Sequence, residues 1–203
     1  MKLYYSPGAC SLASHITLRE AGAAFDLEKV DVSQKKTEHD ADFWAINPKG
    51  YVPALALDSG EVLTEGAAIL QYIADQHPAA GLAPAAGTLA RARLQEHLNF
   101  VATELHKAFT PLFNPATSDA EKAAGKQRVE QRLSLIEKQL ADGRSFLLGE
   151  SFSVADAYLF VVAGWTKHFG IDLAVWPQVA ALCQRVAARK SVQAALQAEG
   201  LAA

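Results

Sequence analysis

Cysteine is scarce in this sequence, with only Cys10 and Cys183 among 203 residues. They could form at most one disulfide, and a reducing cytosol together with their distant sequence contexts argues against it. The run Cys10-Ser11-Leu12-Ala13 holds no second cysteine, which excludes the dithiol chemistry of a C-x-x-C pair. Any redox cycle at Cys10 would therefore need an external thiol.

Long hydrophobic runs, basic blocks and clustered metal ligands are lacking too. Only a few apolar residues separate Lys2 from Pro7, and no stretch approaches a membrane span, so we expect no signal peptide, no membrane partner and a cytoplasmic location. A net charge of −3 without basic blocks gives no electrostatic case for nucleic acid. The histidines include no pair at i, i+4, and neither cysteine has a ligand partner nearby, so we expect no metal site.

The predicted elements divide the chain in two. Up to about residue 80 their order is βαβ, an irregular stretch, then ββα, and the predicted ranges are 1–5, 11–22, 25–32, 54–57, 62–64 and 65–73. Pro, Ala and Gly dominate 81–87, which is typical of a linker. Beyond it the hydrophobic spacing predicts only helices, at 88–109, 118–141, 154–169, 177–189 and 191–199. We therefore expect an α/β domain over 1–80 and an all-helical domain over 88–203.

Cys10 lies where the first strand-like run breaks at Pro7-Gly8 and a helix-like run begins. A thiol there faces unpaired helix N–H groups, whose partial positive charge would lower its pKa and favour the thiolate. Strand, turn, cysteine and helix form the opening of a thioredoxin-like fold. Two interpretations stay open from these residues alone, a reactive thiol and a small buried apolar residue. For Cys183, within an amphipathic helical pattern, we expect a structural thiol.

Two further patterns indicate structure. Val52-Pro53 immediately precedes a predicted strand, which makes it a candidate for a cis peptide bond. Ser153 is followed three residues later by Asp156, the spacing of a helix-capping box, and Phe152 is positioned as its hydrophobic staple. We interpret this second pattern as a folding element.

Several motifs follow one another at characteristic spacings along almost the whole chain. They are Tyr4-Tyr5-Ser6-Pro7-Gly8-Ala9-Cys10-Ser11, Asn47-Pro48-Lys49-Gly50-Tyr51-Val52-Pro53, Leu63-Thr64-Glu65-Gly66, Asn99, His106-Lys107 and Ser153-Val154-Ala155-Asp156-Ala157-Tyr158. Each is weak alone, but their order is specific. Together they resemble the motifs of the glutathione transferases, and most closely those of the bacterial beta class. The resemblance implies a thioredoxin-like glutathione-binding domain, a helical-bundle domain that contributes the electrophile site, and a homodimer.

The resemblance also implies a glutathione site in the first domain. Val52 would pair its backbone with the cysteinyl unit of glutathione, held in position by a cis Pro53. Gly66 would bring its N–H close to the γ-glutamyl carboxylate, without the Ser or Thr hydroxyl that many relatives have there. Glu65 would pair with the ammonium group of the ligand and Lys35 would reach its glycyl end. Ala9 and Cys10 would lie beside the sulfur.

In the helical half, the resemblance places the most telling residues on the first long helix. Asn99, Thr103, His106 and Thr110 are spaced four, three and four apart, which puts them on one helical face. Beta-class enzymes bring this His106 and Lys107 over the sulfur of glutathione. Thr103 and Glu104 would lie near the site, and Asn99 and Glu104 could act across a dimer interface. The residues proposed for an apolar electrophile pocket are Phe109, Phe113, Trp165 and His168.

Three functions remain open at this point. The first is conjugation of glutathione to a small hydrophobic electrophile, with Cys10 and His106 as the catalytic candidates. His106, Lys107 and the helix N-terminus would supply the electrostatic field that activates the thiol of glutathione for this attack. The second is monothiol disulfide exchange, in which Cys10 forms a mixed disulfide with glutathione. The third is a non-catalytic glutathione or hydrophobe carrier. Ser11 or Tyr5 could hydrogen-bond the sulfur instead, although the context favours Cys10. Glutathione is expected as a co-substrate, with no tightly bound cofactor.

Overall fold

The computed structural model describes residues 1–201, and the chain forms two compact units. One unit comprises residues 1–83 and the segment that begins at Ala188; the other comprises Pro84–Ala187. These boundaries differ from the division predicted at 81–87, because the last helix belongs to the first unit. No helix among the described residues has the length and apolar character that crossing a bilayer requires.

A single sheet organises the N-terminal unit, with strand order β3-β2-β1-β4-β5. The strands are β1 Lys2–Tyr5, β2 Asp26–Asp31, β3 Lys36–Thr37, β4 Ala54–Ala56 and β5 Val62–Thr64. β1 is parallel to β2 and antiparallel to β4, with Leu3 opposite both Leu27 and Leu55. The helices of this unit are α1 Ser11–Glu20, α2 Phe43–Ile46, α3 Gly66–Gln76 and α10 Lys190–Ala198.

The central strand β1 is buried on both faces of the sheet. Leu3 and Tyr5 pack into a cluster with Leu18 of α1 and Ile69 of α3. Tyr4, one residue out of phase with them, packs into a second cluster that contains Phe43. Burial on both sides is why β1 has a continuous apolar run rather than an alternating one. The predicted βαβ and ββα order is confirmed, and β3 and α2 fill the stretch that we predicted to be irregular.

The helix α10 packs against α1 within the N-terminal unit. Just before α10, Arg189 forms a two-pronged ion pair with Glu20 at the end of α1, with nitrogen to oxygen distances of 2.7 Å on both arms. Charge-assisted, bidentate pairs of this kind are the more stabilising ones. Residues 188–201 therefore belong with the sheet and not with the helices that precede them in sequence.

The second unit is built from helices. They are α4 Leu89–Phe100, α5 His106–Ala108, α6 Thr110–Phe113, α7 Asp119–Gln139, α8 Val154–Gly164 and α9 Pro177–Ala187. An apolar stripe along α7, formed by Val129, Leu133 and Ile136, is buried together with Leu140 at the C-cap. The capping box at Ser153 and Asp156 is also confirmed, and its carboxylate is fully buried.

Candidate active site

The thiol of Cys10 lies at the start of α1. Cys10 is the N-cap residue of that helix, is partly exposed, and has its Sγ 3.3 Å from the carbonyl oxygen of Val52. The chain reaches this position through a turn in which Gly8 has a φ of +71°, a conformation that glycine adopts without strain. The structure thus places the thiol beside the N-terminus of α1 and beside the backbone of the loop that precedes β4.

The two hydroxyl groups that could replace the thiol lie in different surroundings. Ser11 Oγ accepts a hydrogen bond from the N–H of Ser6 at 3.1 Å and donates to the carbonyl of Ser6 at 3.2 Å. Tyr5 is buried, and burial raises the pKa of its phenol. Ser11 therefore supports the turn before Cys10, Tyr5 belongs to the core of the sheet, and neither is a better candidate than the thiol.

The loop before β4 presents its backbone next to Cys10. The Val52–Pro53 peptide bond, which the sequence made a candidate for the cis isomer, is cis. The buried Asn47 holds this loop: its Nδ2 donates to the carbonyl of Tyr51 at 2.7 Å and its Oδ1 accepts from the N–H of Lys49 at 3.1 Å. Because Asn47 fixes the loop internally, the main chain at Val52 is preorganised.

Glu65 has an unusual backbone conformation. Its φ is +68° and its ψ is 111°, a region that non-glycine residues rarely occupy and that is often found at functional sites. Glu65 is the N-cap of α3, so Gly66 is the first helical residue and not the cap. The carboxylate of Glu65 is exposed and pairs with Lys49 Nζ at 2.6 Å. Lys49, which the sequence analysis did not assign to the site, is therefore its nearest charged partner.

Lys35 also has a positive φ, of +57°, in the turn between β2 and β3. Its Nζ donates to the carbonyl of Gly50 at 2.8 Å and lies 5.5 Å from the ring centre of Trp44 and 5.6 Å from that of Tyr51. Two aromatic rings and a carbonyl hold the ammonium group in one place. A lysine that is only solvated would not have this environment.

In the helical unit, His106 follows a π-helical segment, Val101–Leu105, which continues α4. Such segments are rare and frequently occur at functional sites. Burial, with a contribution from Lys107, lowers the pKa of His106 to about 4. The imidazole is therefore neutral at pH 7 and cannot supply the positive charge that we expected of it, whereas a hydrogen-bonding role remains open.

The other predicted residues of this helix have separate environments. Asn99 and Thr103 are exposed and lie on one side of the helix, because Thr103 Oγ1 donates to the carbonyl of Asn99 at 2.9 Å. Glu104 forms an ion pair with Arg132 of α7 at 2.9 Å. Lys107 is exposed. The π-helical segment interrupts the regular spacing from which a single face was predicted.

Aromatic rings cluster next to His106. The ring centre of Trp165 lies 4.8 Å from that of His106, 5.6 Å from that of Phe109 and 5.3 Å from that of Phe113. Phe109 is fully buried, and Phe113 is 53% exposed. His168 contacts only the edge of this cluster, through Phe169, a residue that the sequence analysis did not include. Of the three phenylalanine rings, Phe113 is the exposed one.

Cys183 is in a different environment from Cys10. Burial, with a contribution from Asp156, raises the pKa of its thiol to about 12. A thiol that stays protonated is a poor nucleophile, which agrees with the structural role predicted for it. Among residues 1–201, no group of three or more His, Cys, Asp or Glu side chains could hold a metal ion.

Comparisons with known proteins agree with this arrangement. The family model of the glutathione S-transferase N-terminal domain matches residues 8–76, and that of the C-terminal domain matches residues 100–190. The chain is 48% identical to glutathione S-transferase GstA of Escherichia coli O157:H7, over 99% of this chain and all of the relative. It belongs to the glutathione S-transferases.

Solved structures of this family superimpose over essentially the whole chain. The beta-class glutathione S-transferase of Sphingomonas chungbukensis is 56% identical, covers 99% of this chain and is itself fully covered, with a TM-score of 0.96. A sphingomonad glutathione S-transferase complexed with glutathione is 57% identical, with full coverage of both chains and a TM-score of 0.96. The N-terminal match includes Cys10, Val52 and Glu65, and the C-terminal match includes His106 and Trp165.

Proposed function

We propose that this protein is a glutathione transferase that activates the thiol of glutathione for attack on small hydrophobic electrophiles. The observation that carries the proposal is that Cys10 Sγ lies 3.3 Å from the carbonyl of Val52 at the N-terminus of α1, beside which we place the thiol of glutathione. The sphingomonad relative is complexed with glutathione, and the relative BphK, 55% identical, is described as a ternary complex. Glutathione is the co-substrate, with no tightly bound cofactor.

The N-terminal unit offers one group for each part of the tripeptide. Glutathione is extended and carries an ammonium group, two carboxylates and a thiol. We assign the exposed carboxylate of Glu65 to the ammonium, the N–H of Gly66 to the γ-glutamyl carboxylate and the backbone of Val52 to the cysteinyl unit. We assign Lys35, held by Trp44 and Tyr51, to the glycyl carboxylate.

The helical unit supplies the groups for the sulfur and the electrophile. Since His106 is neutral, we assign it a hydrogen bond to the thiolate, with Lys107 as the nearby positive charge. Asn99, Thr103 and Glu104 are proposed as further glutathione contacts. The electrophile is assigned to Phe109, Phe113, Trp165 and His168, of which Phe113 and His168 are exposed.

A second candidate function is supported by the thiol itself. The thiolate of Cys10 would attack the glutathionyl sulfur of a mixed disulfide R–S–S–G, forming Cys10–S–S–G and releasing R–S⁻. A glutathione thiolate would then attack this intermediate, giving glutathione disulfide and regenerating the Cys10 thiolate. The partly exposed Cys10 is positioned for this exchange, whereas Cys183 is not. A non-catalytic carrier remains the third candidate.

Replacing Cys10 by Ala separates the three functions. Conjugation of glutathione to an activated aryl halide should survive at least in part, because the thiol that attacks belongs to glutathione. Reduction of a glutathionylated substrate should disappear, because the mixed disulfide cannot form. A carrier would bind glutathione in calorimetry but show neither activity before or after the substitution. Absence of glutathione binding by the folded wild-type protein would refute the proposal.

We further propose a homodimer in the cytoplasm. A reducing compartment supplies glutathione and keeps both free thiols reduced. Light scattering coupled to size-exclusion chromatography measures the assembly directly. A mass equal to that of one chain would contradict the dimer.

A further inference from the structure

A buried carboxylate near the C-terminal end of the described chain contacts the turn that carries Cys10. Glu199 Oε2 accepts a hydrogen bond from the N–H of Gly8 at 3.0 Å. Its other oxygen, Oε1, lies 2.8 Å from Nδ1 of His15, and the side chains of both residues have no exposed surface. A fully buried carboxylate is costly unless it is hydrogen-bonded, so these contacts account for its presence.

The hydrogen-bond directions in this group follow from Arg19. Arg19 Nε lies 2.8 Å from Nε2 of His15, and a guanidinium can only donate. Nε2 of His15 is therefore the acceptor, which places the proton of the neutral imidazole on Nδ1. That N–H donates to Glu199. The group thus runs from Arg19 through His15 and Glu199 to the backbone of Gly8.

The end of α10 fixes the position of Glu199. The N–H of Gly200 donates to the carbonyl of Gln197 at 3.1 Å, and that of Leu201 donates to the carbonyl of Leu196 at 2.8 Å. With Gly200 at a φ of +71°, this is a Schellman motif. Leu201 also covers the turn, since a Cβ built on Gly8 would lie 3.7 Å from its methyl groups.

We propose that Glu199 is a positioning residue for Cys10, holding the turn at Gly8 so that the thiol stays at the N-terminus of α1 and beside Val52. Gly8 precedes Cys10 by two residues, and His15 and Arg19 are on the helix that Cys10 caps. The carboxylate therefore joins the turn to that helix. This inference rests on the proposed function only in taking Cys10 as the reactive thiol.

The substitution Glu199→Gln tests the proposal with little change in shape. An amide offers one acceptor and one donor group, whereas Gly8 N–H and His15 Nδ1–H both need acceptors. If His15 moves its proton to Nε2, that N–H meets the donor of Arg19. In every orientation of the amide, two N–H donors therefore face each other without an acceptor. The turn at Gly8 then either loses its hydrogen bond or is strained.

The matched control is Glu20→Gln. Glu20 is nearly buried and also joins α1 to the C-terminal segment, through Arg189, but it does not contact the turn. Both variants remove a charged acceptor between the same two elements and should lower the free energy of unfolding. Only Glu199→Gln should alter the surroundings of Cys10.

Two measurements on the folded proteins decide the matter. The first is the rate at which iodoacetamide alkylates Cys10, followed by mass spectrometry of its peptide across pH 5 to 10; the second is the dissociation constant of glutathione by calorimetry. For Glu199→Gln we expect a shifted pH profile and an affinity about tenfold weaker, since small displacements of reacting groups have large effects. Glu20→Gln should stay within about twofold of wild type in both. A Glu199→Gln profile and affinity that match those of Glu20→Gln would overturn the proposal.

If Glu199→Gln does not fold, substitutions of His15 provide the test. The substitution His15→Asn keeps an N–H in the place of Nδ1 and so preserves the donor to Glu199, whereas His15→Ala does not. We expect His15→Asn to retain the wild-type alkylation profile and His15→Ala to lose it; equal behaviour of the two would refute the role of Glu199. Failure of wild-type protein to bind glutathione would refute the proposed function alone, because the alkylation of Cys10 is read without that ligand.

Discussion

The phenolic oxygen of Tyr158 lies 2.9 Å from Nδ1 of His106. The two residues come from different helices of the helical unit, and their rings meet edge to face, with centres 6.1 Å apart. When the phenol donates this hydrogen bond, Nδ1 is the acceptor and the imidazole proton is on Nε2. A neutral His106 then has an N–H available as a donor, as the proposed interaction with a thiolate requires.

Tyr158→Phe should weaken activation of glutathione while preserving the shape of the core. Losing one hydrogen bond that orients a neutral imidazole should reduce kcat/KM for conjugation about five- to tenfold. The pKa of bound glutathione, measured by ultraviolet difference titration of the thiolate, should rise. The control is Ser134→Ala, which removes the hydrogen bond from Trp176 Nε1 within the same unit. Equal losses of kcat/KM in the two variants would contradict the role of Tyr158.

His106 should make the protein less stable in acid. Its pKa is about 4 in the folded protein, below the ordinary value of 6.5, so the unfolded chain binds the proton more readily. The contribution of His106 to the free energy of unfolding is therefore fully present above pH 6.5. It is lost as the pH drops toward 4, by up to about 3 kcal/mol. Urea unfolding at pH 7 and pH 4.5 measures the difference. In His106→Asn this part of the pH dependence should disappear, and an unchanged dependence would show that burial does not perturb this imidazole.

Gly66→Ser should strengthen glutathione binding. A Cβ at position 66 would lie 3.8 Å from Pro53 Cγ, an ordinary contact, so the hydroxyl can be added without steric cost. A hydroxyl at the N-terminus of α3 adds one donor for the γ-glutamyl carboxylate, and the dissociation constant should fall about fivefold. Gly66→Ala is the control, because it should stabilise α3 by ~0.5–1 kcal/mol without any gain in affinity for glutathione. Gly66→Ser should share part of this helix stabilisation. A tighter Ala variant would show that the hydroxyl is not the cause.

Asp156→Ala should severely destabilise the helical unit. Its buried carboxylate accepts hydrogen bonds from the N–H of Leu147 and from both the N–H and the hydroxyl of Ser153. Removing it leaves these donors buried and without an acceptor, at a cost of about 3 kcal/mol or more. A second capping box, formed by Ser118 and Glu121 at the start of α7, is exposed, so Glu121→Ala should cost only about 0.5–1 kcal/mol. Thermal unfolding of both variants makes the comparison, and similar losses would contradict the importance of burial.

Local patterns were sufficient to predict most of the N-terminal unit. The strands β1, β2, β4 and β5 have apolar runs bounded by turn residues, and the sequence Asp58-Ser59-Gly60 between β4 and β5 is typical of a hairpin turn. β3 and α2 were not predicted, because elements of two and four residues are too short to show periodicity. The π-helical segment before His106 also escaped prediction, since its residues fit an α-helix equally well.

The features that could not be predicted depend on contacts between residues distant in sequence. Glu199 meets His15 across 184 residues, and nothing in either local sequence indicates the other. The same holds for His106 and Tyr158, although each lay within a recognised motif. Lys49 was seen as part of a loop motif, but its pairing with Glu65 depends on how that loop folds against α3. The family resemblance identified residue types, whereas the protonation of His106 required the burial that only the fold provides.

The contact between the indole of Trp165 and the imidazole of His106 gives this protein an optical probe of its own. A positive charge that develops on the imidazole would act directly on the electron cloud of the neighbouring indole. The fluorescence of this tryptophan would then record proton uptake by the histidine in real time, without a coloured substrate or an attached dye.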